Sequence, residues 1–390
     1  MGSMLIKTFF ASAVALGIGI LFAADKPLQL NEIQLRELIK QLGSESFVSR
    51  EQASETILLQ GSRSMRVLEE GLTSNDFEVV RRSRILISLI REAEKKSRLT
   101  AFLEDKDGSK KTVLPGWERF GKLVGNDLSS RTFYGQLYKS DPSMIEESES
   151  DNAIGKVIIS DKAQWLHNSV LNPIGGKTNS LEMADIGAIV FAATLPSVEL
   201  PQEAIYNITN LLYQPTVRQT ITGSTGNGPF RKLLVTWMLQ QSDPNIIAQH
   251  LYLSQNLNMT EGLDLARRAV SEKSMPVYTK TVAMTILGKM GTPEDSGLLR
   301  SFLNDETVVG NFQLPNQQKG NTQVRDVALA MLVHMAGQSH KDYGFSFARA
   351  NQTMHFNPYT LGFSSIEHRL IALKKWEVYF SEKPVKKSNG

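Results

Sequence analysis

Gly175-Gly176-Lys177-Thr178 carries the end of a phosphate-binding loop, in which backbone amides curl around phosphate oxygens. That loop needs a glycine five residues before the Gly-Lys pair, and here the position is Leu171, with Ser169, Asn172 and Pro173 where a buried strand should lead in. A surface turn is the reading. Gly223-Ser224-Thr225-Gly226-Asn227-Gly228 has the composition of a nucleophile loop, but a serine elbow carries glycine two residues on either side of the serine. Ser224 has Thr222 and Gly226 there, so the segment reads as a loop between helices. If a small ligand binds, Ser224 and Asn227 are its expected contacts, because flexible glycine-rich segments form lids.

Metal chemistry fares no better. None of the six histidines (167, 250, 334, 340, 355 and 368) shares the His-Glu-x-x-His spacing that puts two ligands on one helical face. The acids Asp141, Glu146, Glu147, Glu149 and Asp151 lack the alternating ligands and central glycine of a calcium loop, and Asp105-Lys106-Asp107-Gly108 is a fragment interrupted by lysine. Both read as solvated charge runs. With no cysteine, thiolate sites, disulfides and cysteine nucleophiles are excluded. No catalytic set and no cofactor motif emerges. Arg81, Arg82 and Arg84 are a candidate patch for an acidic partner, set against pairing with neighbours such as Glu78. Trp237 and Trp376 lie among apolar helix positions and are assigned to core.

The elements that must carry these residues are helical. Superposing 35–60 on 65–90, a shift of 30, aligns Leu38 with Leu68, Leu42 with Leu72, Phe47 with Phe77, Ala53 with Ser83, Ile57 with Ile87 and Leu59 with Leu89. Each copy is a short helix, a polar turn and a second helix opened by phenylalanine. A helix pair of this size cannot hide its own apolar stripe, so pairs must stack. Near the C-terminus, Val324, Val327, Ala328, Met331, Leu332 and Met335 form a helical stripe. Val282, Ala283, Leu287 and Met290 match it at a shift of 45. The polar segment 310–322 is expected to be a loop inserted within that unit. The middle is helical without a clean period, with breaks at 104–111, 140–152, 172–180 and 222–229. The last helix is expected over 364–380, with Ile366, Leu370, Leu373 and Phe380 on one face as a cap.

Val324-Arg325-Asp326-Val327-Ala328, preceded by Leu303-Asn304-Asp305-Glu306, resembles the HEAT-type repeat, and Phe47-Val48-Ser49-Arg50-Glu51-Gln52-Ala53 is similar. The resemblance implies an all-α, HEAT/ARM-like α-solenoid: a right-handed superhelix of antiparallel helix pairs. It also implies that Asp305 and Arg325 belong to the family's intramolecular Asp/Arg ladder, a structural role. The whole chain further resembles exported HEAT-like proteins of planctomycete bacteria, through Leu114-Pro115-Gly116-Trp117-Glu118-Arg119-Phe120, the run 323–345, and Leu361-Gly362-Phe363 leading to Lys374-Lys375-Trp376. That likeness implies no assigned activity.

Lys7 followed by an uncharged, apolar run to Ala24 has the parts of a secretory signal, cleaved or retained as an N-terminal anchor. The expected organisation is a signal peptide at 1–24, HEAT-like repeats at 28–96, an irregular helical region at 97–273, repeats and a capping helix at 274–380, and a flexible tail at 381–390. The 43 Lys and Arg against 40 Asp and Glu leave a charge of +3, no support for nucleic-acid binding. The expectation is an exported scaffold of the periplasm or cell envelope, binding a protein partner, non-enzymatic, with no cofactor, no nucleic acid and no stable membrane insertion once the signal is cleaved. The alternatives are an envelope hydrolase or carbohydrate-active enzyme with scattered carboxylates about 5 to 9 Å apart, and a self-associating structural protein.

Overall fold

The computed structural model describes residues 29–171, 181–223, 228–313, 319–351 and 355–382. The expected signal at 1–24, Gly175-Gly176-Lys177-Thr178, Ser224 and Asn227 lie outside the described residues. The described chain is mostly helical, as expected of an all-α protein, and divides between Arg98 and Leu99 into two compact units. No helix among the described residues is long and apolar enough to cross a membrane.

The first unit holds α1 (Glu32–Gln41), α2 (Phe47–Gln60), α3 (Met65–Gly71) and most of α4 (Phe77–Glu104). Local chemistry sets the helix ends. Asn31 and Gln34 form a reciprocal capping box at the start of α1. Ser46 caps α2, and Gly61, at φ 57, ends it in a conformation that a side chain would strain. The buried core combines Leu35, Ile39, Leu42, Ala53, Ile57, Val67, Leu68, Val79, Leu86, Ile87 and Ile90. The thirty-residue alignment therefore holds for the buried pairs Ala53/Ser83 and Ile57/Ile87, whereas Phe47, Phe77, Leu59 and Leu89 are exposed.

The second unit begins with α5 (Trp117–Val124), α6 (Leu128–Ser140), α7 (Pro142–Ser150) and α8 (Asn152–Leu171). It continues through α9 (Met183–Ala193), α10 (Gln202–Leu211), α11 (Pro215–Thr222) and α12 (Pro229–Gln240). Then follow α13 (Pro244–Asn256), α14 (Gly262–Ser271), α15 (Val277–Met290) and α16 (Asp295–Arg300). A ribbon of β1 (Val308–Gln313) and β2 (Lys319–Gln323), the helix α17 (Val324–Met335), a ribbon of β3 (Ala350–Asn351) and β4 (His355–Phe356), and α18 (Ile366–Glu382) complete it. Four of these helices start with proline at the first position, where its missing N–H costs nothing. One continuous buried cluster runs from Phe102 to Trp376. The expected division at 273/274 falls between α14 and α15, which pack against each other inside that cluster.

Four sequence expectations are corrected. The acidic stretch within the expected break at 140–152 forms α7: Asp141 caps it, Pro142 opens it, and Met144, Ile145 and Ser148 give it a buried face. The expected loop at 310–322 contributes to an antiparallel ribbon, with Gly310 opposite Thr322 and Phe312 opposite Gly320. Its ladder satisfies the backbone, buried Thr322 donates to the Tyr359 carbonyl at 2.9 Å, and Asn321 bridges Phe363. Finally, α18 buries Arg369, Ala372 and Trp376, while Ile366, Leu370 and Phe380 face outward. The expected tail starts late, since Ser381 and Glu382 still belong to α18.

The Leu-Pro-Gly-Trp-Glu-Arg-Phe stretch at 114–120 is a packing hub. Trp117 and Phe120 stack with centroids 5.9 Å apart and meet Phe102, Tyr134 and Phe191. Arg119 lies 3.8 Å over the Phe191 ring, pairs with Glu149 at 2.7 Å and donates to the Phe191 carbonyl. The Tyr134 hydroxyl donates to the Pro115 carbonyl. Gly116 sits at φ +77, and a β-carbon there would lie 2.7 Å from the Tyr134 oxygen. Gly116→Ala is thus expected to destabilise by ~1–3 kcal/mol, from the left-handed backbone and the displaced tyrosine. Thermal unfolding checks it, and an unchanged Tm contradicts this account of the hub.

Candidate functional site

Most of the described sequence candidates turn inward or pair with neighbours. Asp105, first of the calcium-like fragment, is buried with Arg131 at 3.2 Å and accepts from the amides of Lys110 and Thr112. Burial opposes its charge, but those amides and the guanidinium outweigh it and hold the carboxyl below the usual range. Asp141 pairs with Lys162 at 2.8 Å, and Glu149 with Arg119. Among the described residues no group of three or more His, Asp or Glu is placed to hold a metal ion. In the first unit, Arg82 is bound by Glu78 at 2.7 Å and Glu51 at 2.9 Å, and Arg81 reaches Glu78 at 3.5 Å. Arg84 is exposed.

Asp305 and Arg325 are joined through the backbone, the Arg325 amide donating to the Asp305 carbonyl at 2.9 Å. The Arg325 guanidinium is held elsewhere, by Glu306 at 2.8 Å and Gln323 at 2.7 Å, and the Asp305 carboxylate accepts from the Thr307 amide. Carboxylate-to-arginine links between helices occur instead at Asp295–Arg267 (2.7 Å), Asp326–Arg369 (2.8 Å) and Glu261–Arg231 (2.7 Å).

The site that does emerge is a cavity of about 410 Å³ where α15, α16, α17 and α18 meet. Each helix has a local reason for its place. The α15 and α17 apolar stripes pack on each other, and Gly288 lets them close up, since a β-carbon there would meet the Met331 sulfur at 2.5 Å. The amide of Thr292, ahead of α16, donates to Asp295 at 2.8 Å, and Asp295 is clamped by both Nε and Nη2 of Arg267 (2.7 and 3.0 Å). On α18, Arg369 grips Asp326 at 2.8 and 3.0 Å and the Asn321 side chain at 2.7 Å. That grip turns Trp376, two helical turns on, toward the interior.

The cavity floor is Gly288, Leu332, Met335 and Trp376, and its rim is Lys289, Arg300, His334, Tyr379 and Phe380. The Arg300 guanidinium lies 3.8 Å over the Phe380 ring, and Trp376 stands 5.5 Å from Tyr379. Among the described residues no carboxylate lines it. Burial lowers the His334 pKa below the ordinary histidine value, so the ring is neutral at pH 7 and its neighbours supply the charge. His340, 6.1 Å from His334, is lowered by burial too, against the opposing contact with the Ala330 carbonyl at 2.8 Å. Cations, aromatics and no acid make a receptor for an anion carrying an apolar or aromatic body. A bare cation, which an aromatic cage alone would accept, is repelled by Lys289 and Arg300.

Comparison with known proteins adds no relative: no family model, no curated protein and no solved structure matches the chain. Sequence reasoning missed Lys289, Arg300, Tyr379 and Phe380 and took Trp376 for core alone. The signal was the Trp376, Tyr379, Phe380 spacing, which gathers three aromatics on adjoining helical faces.

Proposed function

We propose that this protein is a non-enzymatic helical-repeat scaffold, of HEAT/ARM-like solenoid type, whose C-terminal cavity holds an acidic, aromatic segment of a protein partner. The single observation that carries the reading is the cavity lining: lysine, arginine and histidine beside three aromatics, with no carboxylate to act as acid, base or nucleophile. The solenoid reading is supported by the packing order of the C-terminal helices. There α13, α14 and α15 pack on one another, as do α15 with α17 and α17 with α18, contacts of the kind that successive helices of stacked repeats make. The same reading places the protein in the cell envelope, after export directed by the leader-like residues at 1–24. A volume near 410 Å³ fits one or two side chains of such a segment.

The test is titration of the protein with a short peptide in which two carboxylates flank a phenylalanine, against its lysine-flanked counterpart. The acidic peptide is expected to bind at least tenfold tighter, and Arg300→Glu to remove about that factor, ~1.4 kcal/mol. Affinity is also expected to rise as pH falls below the ordinary histidine range, because protonating His334, whose pKa burial lowers, adds a positive charge. Equal affinity for both peptides sinks the proposal, and reproducible cleavage of the peptide moves the reading to a hydrolase.

A further inference from the structure

A second cavity, of about 340 Å³, opens beside α18 and shares no lining residue with the first. One wall is the 3-10 turn His340–Tyr343 with the chain that follows it. Tyr343 is buried there, and its hydroxyl donates to the Gln338 side chain at 2.6 Å. Gly344, at φ +79, ends the turn in a left-handed conformation and brings Ser346 round to the cavity. The other wall is one face of α18, with buried Ala372 between His368 and Lys375. The Lys375 ammonium ties the two walls together, donating to the Asp342 carbonyl at 2.7 Å.

Four side-chain donors face this space. Neither Lys341 nor Lys375 is paired with a carboxylate among the described residues, and Lys375 keeps N–H groups beyond the one it gives Asp342. His368 has Nδ1 at 3.3 Å from the Ser364 hydroxyl, which leaves Nε2 for the cavity. Ser346 adds a hydroxyl. Ammonium groups are compact point charges suited to phosphate, whereas carboxylates are met best by an arginine fork, and no arginine is among the lining residues described. Asp342 lines the cavity too, so a bare anion is repelled and a ligand must bring hydroxyl donors to that carboxylate. A nucleobase finds no platform, because Tyr343 is 3% exposed and Lys375 already lies 5.0 Å over its ring. We infer that this cavity binds a small phosphate monoester of a sugar or polyol. Its phosphate lies on Lys341, Lys375, His368 and Ser346, and a hydroxyl donates to Asp342.

Calorimetric titration of the full chain with glucose 6-phosphate, glucose and inorganic phosphate tests this. The ester is expected to bind saturably and at least about tenfold more tightly than either fragment. Lys341→Gln combined with His368→Gln leaves the Lys375 link intact and should weaken the ester by at least about tenfold, with Tm and circular dichroism unchanged. Asp342→Asn should narrow the gap from the other side, tightening inorganic phosphate once the repelling charge is gone. Arg300→Glu, in the first cavity, should leave ester binding as it is. No saturable binding of the ester, or equal affinity for inorganic phosphate, overturns the proposal. So does ester binding that survives the Lys341 and His368 double variant.

Discussion

Arg369→Leu is expected to cost the second unit ~3–5 kcal/mol at pH 7, the largest effect of any single substitution considered. The guanidinium is buried, holds Asp326 through two oxygens, and also bonds both the carbonyl and the side chain of Asn321. Its loss strands a buried carboxylate whose pKa burial already raises, against the restraint of Arg369. The double variant Asp326→Leu with Arg369→Leu should recover most of that loss, short of about 1 kcal/mol for the helix cap Asp326 provides to Gln323. The pH dependence has a definite sign. A carboxyl with a raised folded-state pKa binds a proton more tightly in the folded than in the unfolded chain, so its stabilising contribution is present at low pH and lost as pH rises. The deficit of Arg369→Leu relative to the parent should therefore shrink between pH 7 and pH 5. Urea unfolding of parent and variant at both values measures it, and a deficit independent of pH contradicts the stranded carboxylate.

The second large effect is acid lability set by His250. Its imidazole is fully buried against Trp237, ring centroids 4.9 Å apart, with Nε2 at 3.4 Å from the Thr209 hydroxyl. Burial pushes its pKa down to about 3, against a backbone contact with Met238 that works the other way. Here the sign is the reverse of Asp326. Between pH 6.5 and 3 the unfolded chain binds a proton that the folded chain refuses, so stability is full above pH 6.5 and falls with acidification. The slope is ~1.4 kcal/mol per pH unit, which gives about 2 kcal/mol lost by pH 5. His250→Leu removes the slope without orphaning Thr209, whose hydroxyl already donates to the Ile205 carbonyl at 2.8 Å. The variant should match the parent within about 1.5 kcal/mol at pH 7 and exceed it at pH 5. Parallel acid limbs for the two proteins would show that His250 is not the group responsible.

Much of the helical framework is legible locally. The Asn31 box, the Ser46 and Asp127 caps and the helix-opening prolines need only neighbours in sequence. The matched stripes of α15 and α17 mark two helices that do pack together. What α18 buries is different. Ile366, Leu370 and Phe380 follow a helical period about as well as Arg369, Ala372 and Trp376 do, and the choice is made by a carboxylate 43 residues away. The same distance hides the cavity: Lys289, Arg300 and His334 come from three helices with no shared spacing, and only tertiary packing makes them one surface. Ribbon pairing at 308–323 was also obscured, because its polar Asn and Gln side chains read as loop while the backbone ladder decides.

The indole N–H resonances of the four tryptophans test the central claim most directly, with Trp376 assigned through Trp376→Phe. On adding the acidic phenylalanine peptide, the Trp376 signal is predicted to move in a saturable way. Buried Trp117 and Trp237 and exposed Trp165 should stay in place, and the peptide's own spectrum should remain intact. A Trp376 signal that ignores the peptide, or follows the lysine-flanked version equally, contradicts a cationic, aromatic receptor at this cavity.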